Sequence, residues 1–271
     1  MHDTLQKIIA QKELEVAKLK EIIHKNPDGE LSQFMRGKLG NRKIKSFKKA
    51  LSQPQAIIAE IKRSSPAKGE LAKIADPVAL AQKYQQAGAA AISVLTDEMF
   101  FNGSINDLQQ VSLALQNTDC AILRKEFIID EIQIAQAVQY GADAVLLIMA
   151  VTEDKTQELI DFAHYLEMEV LLEVHTEDEL EQALDTNAKI IGVNNRDLRT
   201  LEVDINTSFN LIEFMPKTVI AVAESGIQDF KTAHDLFDVG YDALLVGEAL
   251  VKAKDPEKLI RAMRGIDENS R

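Results

Sequence analysis

Glu60 and Lys62 lie two residues apart at the end of an apolar run, Ala56–Ile61. Successive side chains of a β-strand point to opposite faces, so Glu60 and Lys62 would share one face and Ile61 would lie on the other. An acid and a base held together above apolar residues shift each other's pKa, and general acid–base catalysis requires such shifts. This spacing therefore predicts a catalytic site at the end of the strand.

Other apolar runs of the sequence also close with charged or amide side chains. These residues are Lys125, Glu173, Asn194, Glu224 and Glu248. Taken singly, each of these residues is explained about as well by a structural role, as a helix cap or in a salt bridge at the rim of the protein, as by a catalytic role. If the runs are parallel strands of one barrel, however, their carboxyl ends lie on the same side of it. We therefore expect Glu, Lys and Asn side chains to meet in one acid–base site.

Eight short apolar runs alternate with amphipathic helical stretches from residue 55 onward. The runs are Ala56–Ile61, Ala91–Leu95, Ala121–Leu123, Ala144–Met149, Val170–Val174, Ile190–Val193, Val219–Ala223 and Ala243–Val246. Near-continuous Val, Ile, Leu and Ala are typical of parallel strands covered by helices, and the alternation indicates βαβ units. Eight such units predict an α/β fold, a single (βα)8 TIM barrel. An open doubly wound sheet is the alternative, but it usually carries a glycine-rich first turn, which this sequence lacks.

A helical segment precedes these runs. Residues 4–24 carry apolar side chains at a period near 3.6, which predicts an amphipathic helix, and a second helical stretch is expected around Leu31–Leu39. We therefore expect residues 1–50 to form an N-terminal helical extension packed on the barrel, and residues 51–271 to form the (βα)8 barrel catalytic domain. Between Glu30 and Glu60 the chain has seven Lys or Arg and no acid. Such a basic segment is either a solvated face or a rim that attracts an anionic substrate.

The composition argues against several classes of protein. The net charge of −12 argues against a general nucleic-acid binder, and no apolar stretch approaches the length of a membrane span. The single cysteine, Cys120, rules out an internal disulfide framework and suits a reducing cytoplasm, where we expect the protein to act. The five histidines lack metal-ligand spacing and no Walker or dinucleotide fingerprint occurs, so we expect neither a metal nor another cofactor.

Small residues follow the last two apolar runs, as Ser225-Gly226 and Gly247-Glu248. Small residues let backbone N–H groups come close to a phosphate, and TIM barrels commonly bind phosphate after the seventh and eighth strands. We therefore expect a phosphorylated small molecule as the substrate.

Several segments together resemble the indole-3-glycerol-phosphate synthase family, and the resemblance covers nearly the whole chain. The segments are Ile58–Pro66, Leu95–Asp97 with Phe101–Ser104, Leu123–Asp130, Leu172–His175, Gly192–Leu198 and Glu224–Ile227. Ile58–Pro66 looks like the signature of the family's first strand and is quite specific, and members also carry a helical extension before the barrel. Glu126 departs from the Asp common in the family, Glu248 stands where some members have Ser, and a Tyr common near residues 131–133 is absent.

The resemblance implies a lyase of tryptophan biosynthesis. It would close an indole ring, converting 1-(2-carboxyphenylamino)-1-deoxyribulose 5-phosphate into indole-3-glycerol phosphate, carbon dioxide and water. By resemblance Lys125 is the general acid and Glu173 its base partner, while Lys62 holds the substrate carboxylate and favours the charge of ring closure. Glu60 would orient Lys62 or a substrate hydroxyl, and Asn194 would position polar substrate groups.

The remaining predicted residues bind substrate. Arg196 would position polar groups, Ser65 would bind the carboxylate, and Phe101 and Phe127 would pack on the anthranilate ring, although ordinary loop packing also explains the two aromatics. The phosphate would lie against Ser225, Gly226, Gly247 and Glu248. For His175 we expect a place in a loop or a role in supporting Glu173, and the alternative is a metal ligand or a proton shuttle. We expect a monomer with no nucleic-acid or membrane partner.

Two other kinds of protein are weighed against this interpretation. Another phosphate-binding barrel, such as phosphoribosylanthranilate isomerase, would share the phosphate end but should lack Lys125 and the pair of Glu60 and Lys62. A non-catalytic barrel used as an assembly partner should have lost the acid and the base, and both are present.

Overall fold

Eight parallel strands close into a barrel in the computed structural model, which describes residues 3–266. The strands are β1 (Ala56–Ile61), β2 (Ser64–Ser65), β3 (Gly69–Glu70), β4 (Ala91–Leu95), β5 (Ala121–Lys125), β6 (Ala144–Ile148), β7 (Glu169–Val174), β8 (Ile190–Asn194), β9 (Ile220–Glu224) and β10 (Ala243–Val246). The barrel consists of β1 and β4–β10, and β2 and β3 form a small antiparallel hairpin after β1. The predicted TIM barrel is confirmed.

Helices connect the barrel strands and cover the outside of the barrel. They are α1 (Asp3–Lys25), α2 (Glu30–Met35), α3 (Phe47–Leu51), α4 (Pro77–Gln86), α5 (Glu98–Phe101), α6 (Ile105–Ala114), α7 (Glu131–Gln139), α8 (Met149–Thr152), α9 (Thr156–Tyr165), α10 (Glu177–Leu184), α11 (Asn206–Leu211), α12 (Phe230–Val239), α13 (Glu248–Lys252) and α14 (Pro256–Met263). Short 3-10 helices span Glu153–Lys155 and Ile212–Phe214. Several helices begin where an Asp side chain accepts a hydrogen bond from the first turn, as Asp76 does from the N–H of Ala79.

The predicted strands agree with the observed ones except at their ends. β5 runs two residues beyond the predicted end at Leu123, because it stays paired with β4 up to Lys125. Met149, predicted as strand, begins α8 instead. The extension of β5 matters for the site, because it makes Lys125 the last residue of a rigid strand rather than part of a loop.

Apolar side chains pack in two clusters on opposite faces of the strands. Ile57 and Ile61 of β1 pack with residues of the covering helices, whereas Ile58 packs with apolar residues from the other strands inside the barrel. The prediction that Ile61 lies opposite Glu60 is therefore confirmed.

The N-terminal extension reaches both ends of the barrel. α1 carries Leu5 and Ile8 to the carboxyl ends of the strands, where they pack with Phe127. The second helix is shorter than the predicted Leu31–Leu39, because the chain turns at Gly37, whose φ is +70°. The predicted parts, residues 1–50 and 51–271, include residues 1–2 and 267–271, which lie outside the described residues.

The basic segment lies at the end of the barrel away from the predicted site. Lys45 Nζ donates to the carbonyl of Cys120 at 2.8 Å, just before β5, and the N–H of Lys48 donates to Glu169, the first residue of β7, at 2.6 Å. Arg42 pairs with buried Asp143 at 2.8 Å. The alternative of a basic rim around the substrate site is therefore wrong. These cations instead attach the extension to the amino ends of the strands.

None of the helices between residues 3 and 266 is long and apolar enough to cross a bilayer.

Candidate active site

A cavity of about 650 Å³ lies at the carboxyl ends of the barrel strands, and its volume is typical of small-molecule sites. The predicted site residues that line it are Glu60, Lys62, Phe101, Lys125, Phe127, Glu173, Asn194, Arg196, Ser225, Gly226, Gly247 and Glu248. The remaining predicted residue, Ser65, lines a neighbouring cavity of about 70 Å³ that shares Lys62, Phe101 and Phe127 with the large one. The barrel thus brings all of the predicted residues to one place.

Lys125 lies at the centre of the charged part of the cavity. Its Nζ is 2.7 Å from Glu173 Oε2 and 2.7 Å from Glu224 Oε2, and both carboxylates are almost fully buried. Burial alone would lower the pKa of Lys125, but the charges of Glu173, Glu224 and Glu60 outweigh it and raise the pKa. Lys125 is therefore a charged hydrogen-bond donor at neutral pH.

The two carboxylates that contact Lys125 have opposite pKa shifts. Burial alone would raise the pKa of Glu173, but Lys125 and His175 outweigh it and lower the pKa. Burial raises the pKa of Glu224, and the charge of Lys125 is not enough to offset this effect. The charge of Glu173 raises the pKa of Glu224 further. Glu173 is thus held ionised, and Glu224 takes up a proton more readily.

Asn194 and His175 contact the other oxygen of Glu173. Asn194 Nδ2 donates to Glu173 Oε1 at 2.9 Å, and His175 Nε2 lies 3.2 Å from the same oxygen. The opposite ring nitrogen of His175 lies 3.1 Å from Glu179 Oε2. Burial alone would lower the pKa of His175, but hydrogen bonds to Glu173 and Glu179 raise it to about 9. A charged His175 therefore helps to keep Glu173 ionised.

Glu60 and Lys62 form an ion pair with 2.5 Å between Oε1 and Nζ. Glu60 is buried, whereas the side chain of Lys62 is 20% exposed and reaches the cavity. A Cβ atom at Gly247 would collide with the Glu60 carboxylate, so the glycine leaves the space in which this acid lies. The predicted shared face of the two residues is confirmed.

Phe101 and Phe127 form the aromatic end of the cavity. Their ring centroids are 6.0 Å apart and their planes make an angle of 37°. Leu5 and Ile8 of α1 lie with them around the smaller cavity, and Lys62 lies at its edge. A flat apolar ring that carries a carboxylate would find both apolar walls and a cation there.

The opposite end of the cavity is formed by the loops after β9 and β10. Ser225 and Gly226 both have left-handed backbones, with φ of +65° and +78°. Such a conformation is strained at Ser225, and strain of this kind is often found in ligand-binding loops. Gly247 and Glu248 complete this end.

The carboxylate of Glu248 is bound by two lysines. Lys68 Nζ lies 2.8 Å and Lys252 Nζ 2.7 Å from Glu248 Oε1, and both lysines line the cavity. Burial alone would raise the pKa of Glu248, but the hydrogen bonds from Lys252 and Lys68 lower it to about 2. An anion entering here would meet two ammonium groups together with the ionised carboxylate that they share.

Arg196 is held by its own loop. Its Nη1 donates to the carbonyl of Leu201 at 2.8 Å, and its backbone N–H donates to Asn194 Oδ1 at 3.0 Å. These bonds fix both Arg196 and Asn194 at the edge of the cavity. Among residues 3–266, no three His, Cys, Asp or Glu side chains are arranged to hold a metal ion.

A family model described as "Indole-3-glycerol phosphate synthase" matches residues 5–263. The chain is 42% identical over 265 residues to the indole-3-glycerol phosphate synthase of Listeria monocytogenes, covering 96% of this chain and 98% of the relative. The enzyme of the same name from Opitutus terrae is 43% identical over 270 residues, covering 97% and 99%. The chain belongs to the indole-3-glycerol phosphate synthase family. The resemblance of its motifs to that family is thereby confirmed.

Structural comparison with solved proteins supports the barrel fold. A 3-hexulose-6-phosphate synthase from Salmonella typhimurium superimposes with a TM-score of 0.63 at 15% identity, covering 78% of this chain and 98% of that one. A thiamine phosphate pyrophosphorylase from Pyrococcus furiosus gives a TM-score of 0.60 at 17% identity, covering 80% and 96%. At these identities the likeness supports the barrel architecture alone.

The sequence did not assign a role to some residues that the structure places in this site. Glu224 closes a strand in the same way as Glu173, so its position was foreseeable, but its contact with Lys125 was not. Lys68 and Lys252 come from a loop and a helix without a distinctive pattern. Nothing in the local sequence marks either of them as a residue of the cavity.

Proposed function

We propose that this chain converts 1-(2-carboxyphenylamino)-1-deoxyribulose 5-phosphate into indole-3-glycerol phosphate, carbon dioxide and water, within tryptophan biosynthesis. Membership of the family supports this activity. One observation carries it: Lys125, a charged proton donor between two buried carboxylates, lies in a cavity with an aromatic, cation-edged end and a lysine-bearing end. Those two ends suit the carboxyphenyl group and the phosphate of the substrate.

The residues around Lys125 supply the proton transfers. Ring closure forms a bond to the substrate's carbonyl carbon, and negative charge develops on the carbonyl oxygen. Lys125 donates a hydrogen bond and then a proton to that oxygen; after taking up a proton from water, it protonates the hydroxyl that leaves as water. Glu173, oriented by Asn194, accepts the proton that dehydration releases. Glu224 accepts a second hydrogen bond from Lys125.

The two ends of the cavity hold the substrate in place. Phe101 and Phe127 pack on the ring, and Lys62 pairs with its carboxylate until carbon dioxide leaves, while Glu60 orients Lys62. Ser65 contributes a hydroxyl near the same carboxylate. Arg196 binds a sugar hydroxyl. The phosphate is bound by the loops of Ser225, Gly226, Gly247 and Glu248, with Lys68 and Lys252 beside them.

Turnover of the named substrate tests the proposal directly. Purified protein, without added metal or nucleotide, should produce the ultraviolet absorbance of an indole together with one carbon dioxide per molecule of substrate. Well-folded protein that leaves this substrate unchanged would refute the activity. Phosphoribosylanthranilate supplied in parallel should remain unchanged; its isomerisation would favour the rival barrel activity.

We also infer the setting in which the activity operates. The protein acts as a monomer in the cytoplasm, without a cofactor or a nucleic-acid partner, and residues 1–50 form an extension packed on the catalytic barrel of residues 51–271. The single cysteine supports the cytoplasm, and the net charge of −12 supports the lack of a nucleic-acid partner. Sedimentation of the purified protein, with and without DNA, tests the monomer and the lack of nucleic-acid binding.

A further inference from the structure

Lys12, on the N-terminal helix α1, is buried against three carboxylates. Its side chain is 1% exposed, and its Nζ lies 2.7 Å from Asp97 Oδ2 and 3.1 Å from Glu126 Oε1. Glu15, one turn further along the same helix, provides the third contact at 2.8 Å. Asp97 follows β4 and Glu126 follows β5, so this one ammonium joins the extension to two loops of the active site.

Asp97 and Glu126 each hold an aromatic residue of the cavity. Asp97 Oδ1 accepts hydrogen bonds from the N–H groups of Phe100 and Phe101, at 2.6 and 3.2 Å, and so begins the short helix that carries Phe101. Glu126 Oε1 accepts a hydrogen bond from the N–H of Phe127 at 2.9 Å. Lys12 therefore contacts the two acids that fix the backbones of the aromatic pair.

The charge of Lys12 is needed where it lies. Asp97 and Glu126 are both buried, and the nearest other cation, Arg124, is 3.8 Å from Glu126. Without Lys12, Glu126 would keep only this guanidinium, which also donates to Thr96 and to the carbonyl of Gln133, and the structure between residues 3 and 266 places no other cation in an ion pair with Asp97. Buried carboxylates without a paired cation repel each other or draw in water, and either response moves the loops.

A plain anchoring role for the helix does not account for this arrangement. α1 already packs through Leu5, Ile8 and Val16, and Lys20 pairs with Asp130 on the surface at 2.5 Å. A buried lysine adds a desolvation cost that these contacts avoid. What Lys12 adds is the fixed position of two acids that border the aromatic end of the cavity.

We propose that Lys12 is a positioning residue for the aromatic end of the site, acting through Asp97 and Glu126 on Phe101 and Phe127. The role rests on the proposed function, because the ring that these residues hold is the carboxyphenyl group of its substrate. The helical extension then contributes to substrate recognition as well as covering the barrel.

The test compares Lys12→Met with Lys20→Met, which removes an exposed lysine from the same helix. Lys12→Met should raise KM by about tenfold or more and change kcat much less, because the aromatic pair holds the substrate ring equally in the ground state and in the transition state. Affinity for a non-reactive analogue with the carbonyl reduced to an alcohol should fall equally, while affinity for inorganic phosphate stays constant. Lys20→Met should match the wild type in all three. Equal effects of the two variants would refute the proposal.

A fluorescent reporter separates this proposal from the proposed function. The chain has no tryptophan, so Phe101→Trp gives a single probe at the aromatic end. Adding Lys12→Met should shift its emission to longer wavelength and increase its quenching by acrylamide, and adding Lys20→Met should not. An unchanged spectrum would overturn the positioning role even if the substrate is turned over. Wild-type protein without turnover would overturn the function while leaving the spectral comparison valid.

A second variant covers the case in which Lys12→Met fails to fold. Lys12→Met combined with Glu126→Gln removes one acid with the cation, and the amide oxygen of Gln can still accept the hydrogen bond from Phe127. This double variant should fold and still lose affinity for the analogue. Wild-type affinity in a folded double variant would refute the proposal.

Discussion

Replacement of Lys125 by Met tests whether one ammonium neutralises two buried carboxylates. Met keeps most of the side-chain volume and removes the charge that lies 2.7 Å from both Glu173 and Glu224. Breaking a buried ion pair by removal of one partner costs about 3–5 kcal/mol. A chain of this size loses roughly 2 °C of Tm per kcal/mol, so the expected decrease at pH 7 is about 6–10 °C. Turnover should fall by about 10²–10⁴-fold, the contribution of a positioned proton donor.

The pH dependence gives the sharper result. In the wild type Lys125 lowers the pKa of Glu173, so its stabilising contribution is present above the unfolded pKa of the carboxyl group and is lost as the pH falls through the folded pKa. In the variant, burial acts on Glu224 without an opposing cation and raises its pKa, whereas Glu173 keeps the neighbouring His175. Stability should then be highest at low pH and fall as the pH rises from 5 to 7, by about 1.4 kcal/mol per pH unit for each acid that keeps its proton in the folded chain and releases it on unfolding.

Urea unfolding followed by circular dichroism at pH 5, 6 and 7 measures these free energies. Lys83→Met, on the exposed face of α4, serves as the control and should stay within about 0.5 kcal/mol of the wild type at each pH. If Lys125→Met matches this control at all three pH values, Lys125 does not neutralise the two carboxylates. If stability falls but does not depend on pH, the cost is one of packing rather than of charge.

Two further predictions concern the groups around Lys125. His175→Gln should destabilise the protein at pH 6. The difference in the free energy of urea unfolding from the wild type should shrink as the pH rises through about 9, because His175 stabilises the folded chain only while its ring is protonated. A difference that stays constant with pH would contradict a charged His175. Glu173→Gln should reduce kcat by about 10²-fold or more, the contribution of a general base, and Glu224→Gln should reduce it less and flatten the acid limb of the pH–rate profile. The reverse order would assign the base role to Glu224.

The barrel itself was predictable because its strands are buried on both faces. Runs such as Ala243–Val246 are therefore apolar throughout, and their ends are visible in the sequence. Because the carboxyl ends of the barrel strands lie on the same side, the sequence then placed Lys125 and Glu173 in one site. The contact of Glu224 with Lys125 was not predictable, because which side chains meet depends on how far each strand is staggered against the next.

Long-range contacts of the extension were beyond the reach of sequence patterns. Lys12 looks like any lysine on an amphipathic helix, and its partners lie 85 and 114 residues further along the chain. The basic segment had the opposite problem. The positive charge of this segment is visible in the sequence. Which end of the barrel Lys45 and Lys48 contact, however, depends on the path of the chain in the folded protein.

Two glycines explain how a barrel interior can hold so much charge. Gly192 is paired with Glu173 in the sheet, and a Cβ atom at Gly192 would collide with the carboxylate of Glu224. In the same way, a Cβ atom at Gly247 would collide with the carboxylate of Glu60. Glycine in a strand costs roughly 0.5–1 kcal/mol of stability relative to alanine. The space that Gly192 leaves is occupied by the carboxylate of Glu224, which lies next to Lys125. The placement of the proton donor thus depends as much on missing side chains as on the charged ones.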